Sequence, residues 1–212
     1  MRYFNTRTDM MKYLCVPQST VCEIGVHQGA FAQFLYTLYP RMLVLIDPFV
    51  GVVPSGDQDG NNVVNADLEK VYQHLLKTTL PLKNIRLQRG YSQNVLPHYP
   101  DNCFDVMYID GDHSYEGVKR DLELGLKKVK PGGFICGHDY EMNHMKTPNT
   151  YDFGVKRAVD EFCQTHGLEI CAKGLDGCVS YAIQKPRNLS ACTSQASSDN
   201  ETDRPQAPPP GS

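Results

Sequence analysis

Two short runs concentrate the side chains that could do chemistry. One is Asp110-Gly111-Asp112-His113-Ser114-Tyr115-Glu116, and the other is Gly137-His138-Asp139-Tyr140. Each follows an apolar stretch, so each reads as the tip of a buried strand. If the two strands are sheet neighbours, oxygen and imidazole groups converge on one rim. Carboxylates gathered there repel one another unless a proton or a cation neutralises them. Asp110, His138 and Asp139 therefore form a candidate divalent-metal site, with Asp112 or His113 near enough to take a proton. In the plainer account, Asp112 or His113 caps the next helix and His138-Asp139 is loop polarity.

Two further strand tips carry acids. The run Glu23-Ile24-Gly25-Val26-His27-Gln28-Gly29 ends one strand, with Gly25 permitting a tight turn and a helix beginning near Gly29. Its G-x-x-x-G spacing departs from the G-x-G-x-x-G of dinucleotide sites and argues against NAD or FAD. Asp47, before Pro48, ends the next strand. An acid there can accept hydrogen bonds from both ribose hydroxyls of a nucleoside lying across the two strands. The stretch Asp57–Asn61 imitates a calcium loop, but Gly60 comes too early and the closing glutamate is missing.

These tips need a scaffold, and the apolar periodicity supplies one. Strand-like runs at Thr20–Ile24, Met42–Ile46, Ile85–Gln88, Asp105–Ile109 and Phe134–Gly137 alternate with helical patterns. The helices are expected over Ala30–Tyr39, Ala66–Lys77, Tyr115–Val129 and Val155–His166. Pro131-Gly132-Gly133 should end the third helix and turn the chain into the fifth strand. Leu168–Cys171 and Cys178–Gln184 read as a closing pair of strands. The alternation predicts an α/β fold: a Rossmann-like, doubly wound sheet, mostly parallel with a C-terminal antiparallel strand and helices on both faces. Such sheets bind ligands beyond the carboxyl ends of their strands.

Composition narrows the partners. The 212 residues are 41% hydrophobic, enough for one core, and 21 Lys+Arg against 24 Asp+Glu leave a net charge of -3. With no basic excess, neither a nucleic acid nor a membrane surface is expected as partner. The first residues lack the apolar core of a signal peptide, and no apolar run approaches the ~18 residues of a membrane span. The eight cysteines form no C-x-x-C pair. Cys22, Cys103, Cys136, Cys163 and Cys171 lie in or beside apolar segments and read as reduced thiols, which favours a cytoplasmic protein. From about Lys185 the chain turns to Ser, Thr, Asp, Gln and Pro. Residues 1–186 are therefore expected to form one domain and 187–212 a disordered tail. The polar stretch 51–65 is expected to be a flap near the ligand. Residues 141–153, with His144, Met145 and Tyr151, are expected to shape an acceptor pocket. Lys127, Lys128 and Lys130 suit a helix C-terminus.

The segments VCEIGVHQGAF, LIDPF, RGYS, DVMYIDGDHSYEGVKRDLELGLKKVKPGGFICGHDY and GVKRAVDEF resemble class I S-adenosylmethionine-dependent methyltransferases. The likeness is greatest to the subgroup of sugar and small-molecule O-methyltransferases, some of them metal-dependent. The resemblance implies that Glu23, Gly25 and Gly29 hold the methionine portion of S-adenosylmethionine, that Asp47 holds its ribose, and that Gly90 and Ser92 lie toward adenine. It further implies that Asp110, which also borders the cofactor, and Asp139 bind Mg²⁺, with Asp112 as base and His113 in reserve. His138 stands where those relatives usually carry another acid. Imidazole is a poor Mg²⁺ ligand, so Mn²⁺, another transition metal, or no metal remain alternatives. The reaction implied is SN2 transfer to a hydroxyl oxygen of a small-molecule acceptor. A metal-free methyltransferase, a nucleotide-dependent oxidoreductase and a non-catalytic cofactor-binding module stay open as other readings.

Overall fold

A computed structural model describes residues 1–50, 68–142 and 154–187. The expected flap, most of the expected acceptor-pocket segment and all but the first residue of the tail lie outside the described residues. In chain order the elements are β1 (Arg2–Phe4), α1 (Arg7–Leu14), β2 (Thr20–Ile24), α2 (Ala30–Tyr36), β3 (Met42–Asp47), α3 (Leu68–Thr79) and β4 (Ile85–Arg89). They continue with α4 (Ser92–Val95), a 3₁₀ turn (Leu96–His98), β5 (Phe104–Ile109), α5 (Tyr115–Lys128), β6 (Val129–Met142), α6 (Val155–His166), β7 (Ile170–Gly174) and β8 (Cys178–Gln184).

The eight strands form one sheet in the order β1-β7-β8-β6-β5-β2-β3-β4. Every pairing is parallel except those of β8, which runs antiparallel to both β6 and β7. This is the Rossmann-like, mostly parallel sheet that the alternation predicts, with β8 as the antiparallel strand. Helices cover both faces, so β2 is buried at every position and is apolar apart from Thr20 and Glu23. Alternate side chains supply two cores. Val21, Leu43, Leu45, Val106 and Tyr108 pack toward α1, α2 and α3. Ile24, Val44, Ile46, Met107 and Ile135 pack toward α5 and α6.

Three elements escape the periodicity. β1 and α4 are too short for a repeat to show, and α1 has a weakly amphipathic pattern. The Pro-Gly-Gly turn also differs from expectation. α5 ends at Lys128, and Pro131-Gly132-Gly133 lies inside β6, where the pairing register with β5 shifts between Phe104 and Val106. The triplet is thus an irregularity within a strand. The seven described cysteines are unpaired thiols. Lys128 donates to the Tyr99 carbonyl and to Asp101, and Lys130 to Asp105, so two members of the lysine run have structural partners.

Lys185 closes the domain. Its side chain is buried, and its Nζ donates to Asn102 Oδ1 at 2.7 Å, Leu126 O at 2.7 Å and Val129 O at 2.8 Å. It thereby satisfies carbonyls at the end of α5 and ties the last strand to the α5–β6 junction. Replacing Lys185 by Met keeps the apolar stem but strands these acceptors. We expect a loss of about 2–4 kcal/mol, read as a lower urea midpoint at unchanged m-value.

Candidate active site

The tips of β2, β3 and β5 are held together by backbone contacts. Asp110 N–H donates to Ile24 O at 2.8 Å, and Gly25 N–H donates to Ile46 O at 2.9 Å. A Cβ on Gly25 would stand 2.0 Å from the Asp110 carbonyl oxygen, and its φ is +89°. Gly25 is therefore required by the approach of two strand tips as much as by any ligand above them.

Glu23 is 1% exposed, and its Oε2 has no hydrogen-bond partner. Burial, then the neighbouring Asp110 and Asp47, push its carboxyl well above the usual range, while Arg7 pulls the other way. Asp47 braces the turn after β2. Its Oδ2 accepts from Val26 N–H and His27 N–H, both at 2.9 Å, and its Oδ1 from Phe49 N–H at 2.6 Å. Oδ1 keeps acceptor capacity for one more donor, such as a ribose hydroxyl. Gly29 caps the start of α2 at φ +81°, and Gly90 N–H donates to the Asp47 carbonyl at 3.0 Å. Ser92 is buried and gives its hydroxyl to Asp121 on α5, so that side chain joins two helices. An orphaned buried carboxylate oxygen beside a bare glycine turn fits the amino-acid end of S-adenosylmethionine.

A second cluster lies on the β5 and β6 tips. Five residues of β6, from Gly137 to Glu141, stand opposite three of β8, from Tyr181 to Val179. This bulge carries His138 and Asp139, the latter at φ +57°, and re-aims both side chains. His113 Nε2 lies 2.9 Å from Asp139 Oδ2 and 3.4 Å from Asp110 Oδ1. His138 Nδ1 lies 3.2 Å from Asp139 Oδ1 and 3.9 Å from Asp110 Oδ1. Burial of Asp139 opposes ionisation, but hydrogen bonds from His113 and His138 outweigh it and hold the carboxyl far below its usual range. Ligand atoms of Asp110, His113 and Asp139 all lie within 4.8 Å of one another. Two carboxylates and an imidazole are a reasonable donor set for a divalent cation. His138, expected as a ligand, stands just outside this trio, and His113, expected as a reserve base, lies within it.

Asp112 is engaged elsewhere. Its Oδ1 accepts from Ser114 N–H at 3.0 Å and its Oδ2 lies 3.6 Å from Arg120. It lies against Gly117, where a Cβ would meet its Cγ at 2.2 Å. Ser114, not Asp112, is the N-cap of α5. The structure thus brings Asp110, His113, His138 and Asp139 together and turns Asp112 toward the helix.

Two side chains near this rim had no motif to mark them. Arg7 reaches Asp110 Oδ2 at 3.4 Å, and its only local signal was the Thr6-x-x-Asp9 capping pattern, in which Thr6 accepts from Asp9 N–H. The Cys178 thiol is pushed up to about 11, by burial first and then by the nearby Asp139 and Asp110.

The profile of a family described as a methyltransferase domain matches residues 22–140. An uncharacterized protein of Acanthamoeba polyphaga mimivirus is 32% identical over 128 residues, 58% of this chain and 52% of that protein. The 8-demethyl-8-(2,3-dimethoxy-alpha-L-rhamnosyl)-tetracenomycin-C 4'-O-methyltransferase of Streptomyces olivaceus is 25% identical over 138 residues, 57% of this chain and 52% of that enzyme. The chain spans about half the length of these relatives. An O-methyltransferase from Bacillus cereus, solved in complex with SAH, superposes with a TM-score of 0.54 at 14% identity, covering 84% of this chain and 78% of that one. At that identity the likeness is one of fold.

The Ser92–Asp121 pair carries a pH signature. Burial raises the Asp121 carboxyl to about 6, against opposing help from Ser92 and Arg120, while Asp112 adds to the rise. An unfolded aspartate titrates near ~3.9. Folding therefore carries no ionisation penalty below that value, a growing one up to about 6, and a constant one above. Replacing Asp121 by Asn removes the titration. The variant should gain about 2 kcal/mol relative to wild type between pH 4.5 and 7.5, measured by urea unfolding at both values.

Proposed function

The chain belongs to the methyltransferase-domain family, and from that premise we propose that it moves the methyl group of S-adenosylmethionine to a hydroxyl oxygen of a small molecule, with sugars the favoured class. The observation that carries this reading is the position of Asp110 between two half-sites. Its Oδ2 faces Arg7 near the buried Glu23, and its Oδ1 faces the imidazoles of His113 and His138. A methyl donor on the first side and a nucleophile on the second would meet across that carboxylate.

Alignment is most of the work, because a sulfonium methyl is already activated. Glu23 and the Gly25 turn would receive the amino-acid end, and Asp47 Oδ1 would accept from a ribose hydroxyl. Asp110, His113 and Asp139 would hold a divalent cation, which would supply Lewis acidity to the acceptor hydroxyl. The imidazole favours Mn²⁺ or another transition ion over Mg²⁺. When bound, S-adenosylmethionine would supply an electrophilic methyl carbon, to which the acceptor oxygen would bond as the carbon–sulfur bond gives its electron pair to sulfur. The hydroxyl proton passes to His138, which Asp139 orients at 3.2 Å. Asp112, committed to Ser114 and Arg120, gives up the base role and keeps the start of α5 in place. A sugar acceptor draws support from the rhamnosyl substrate named for the Streptomyces olivaceus relative.

The test uses the full chain with methyl-labelled S-adenosylmethionine and a panel of sugars, phenols, RNA and protein. Label should enter a hydroxyl-bearing small molecule, fall with EDTA and return with Mn²⁺. His138→Gln should lower kcat by about 10²–10⁴-fold at unchanged affinity for S-adenosylhomocysteine. Label appearing in RNA or protein instead, or transfer indifferent to both EDTA and H138Q, would refute the reading.

A further inference from the structure

Arg7 is held by its backbone far more firmly than by its guanidinium. It follows Thr6, the N-cap of α1, and its N–H donates to Asp176 Oδ1 at 2.9 Å in the β7–β8 turn. Gly174 in β7 leaves no room for a Cβ, which would stand 2.9 Å from Arg7 Cα. The helix start is therefore clamped against the carboxyl end of β7, on the same rim as the other strand tips. The side chain then crosses over the Phe31 ring of α2 at 4.6 Å and reaches the neighbourhood of Tyr108 on β5.

Its contacts to carboxylates are long. The guanidinium lies 3.4 Å from Asp110 Oδ2 and 4.0 Å from Asp176 Oδ2, beyond the range of a strong charge-assisted bond. The side chain is 30% exposed, so part of it faces outward from the rim. A guanidinium carries more donors than these contacts use, arranged as a planar fork that suits a carboxylate. Across Asp110 is the complementary group. Glu23 Oε2 is buried without a partner, and its register neighbour on β5 is Tyr108, the residue Arg7 touches. A cation with spare donors and an acid with an unpartnered oxygen thus stand next to the Gly25 turn.

We propose that Arg7 is the anchor for the carboxylate of the amino-acid end of the methyl donor, with Glu23 opposite as the partner of its ammonium. The assignment rests on the donor reading above and adds a residue from outside the family-matched segment. An acid at Asp110 alone would repel that carboxylate. Arg7 offsets the repulsion and selects a zwitterionic ligand over one bearing an amine alone. Arg7 is a positioning residue, since it touches the end of the donor remote from the methyl group.

The experiment compares ligands that differ only at this end: S-adenosylhomocysteine, its decarboxylated analogue, and 5′-methylthioadenosine, which lacks the amino-acid group. Dissociation constants are measured by calorimetry on the full chain and on Arg7→Gln and Arg7→Lys. Arg7→Gln should weaken S-adenosylhomocysteine by about 10- to 100-fold and leave the other two within about 2-fold. Arg7→Lys should fall between, keeping the charge but losing the fork. Wild type itself should prefer the homocysteine ligand over the decarboxylated one, a difference that needs no variant and so survives a variant that fails to fold. A wild type indifferent to the carboxylate, or an R7Q loss spread equally over all three ligands, overturns the anchor while leaving the donor reading intact. A wild type that binds none of the three overturns the donor reading and the anchor with it.

Discussion

The contact on which the site depends is the one between Gly25 and the Asp110 carbonyl. Parallel strands β2 and β5 run side by side in register, and at their carboxyl ends the chain must leave the sheet in two directions within one narrow gap. With any side chain at Gly25, a carbon would lie 2.0 Å from a carbonyl oxygen, and the tips would have to part. Because they do not part, Asp110 is delivered to the centre of the rim. Its backbone is fixed by Ile24, and its two carboxylate oxygens are turned to different neighbours.

Charge organises what surrounds that point. Glu23, Asp47, Asp110 and Asp139 crowd a small region, and each meets the repulsion differently. Glu23 is buried, and burial pushes its carboxyl well above the usual range. Asp47 is solvated by three backbone N–H groups. Asp139 stays ionised because two imidazoles donate to it. Asp110 has no such local relief, with imidazoles at 3.4 and 3.9 Å on one side and Arg7 at 3.4 Å on the other. It is the carboxylate with the most to gain from a cation, which is why the metal proposal and the Arg7 proposal both run through it.

The β6 bulge is the second organising device. A regular strand would point His138 and Asp139 to opposite faces of the sheet, since side chains alternate. The bulge leaves both at the edge, His138 at 3.9 Å from Asp110 and an Asp139 oxygen within 4.8 Å of it. Tyr140, just beyond, is packed into the core and bonded to Asp160 of α6 at 2.6 Å, so the irregular segment is held on its far side by a helix. Gly154 at the start of α6 in turn donates to the His113 carbonyl at 3.0 Å and steadies the other half of the cluster.

The amino-acid order alone determined the alternation of strands and helices, the parallel sheet that follows from it, and the set of tips that carry acids. These are properties of near neighbours along the chain, where a period of two or of 3.6 residues selects the backbone state. It did not determine which histidine joins the two aspartates, that Asp112 would turn to Arg120, or that Asp47 would be taken up by backbone donors. Each of those depends on side-chain directions at strand ends, where periodicity stops and packing takes over. Arg7 is the extreme case. It lies 103 residues from Asp110 in the chain, in a helix of weak pattern, and meets it because β1 and α1 dock against β7. Local patterns carry no information about such a meeting, and only the folded sheet brings the two charges together.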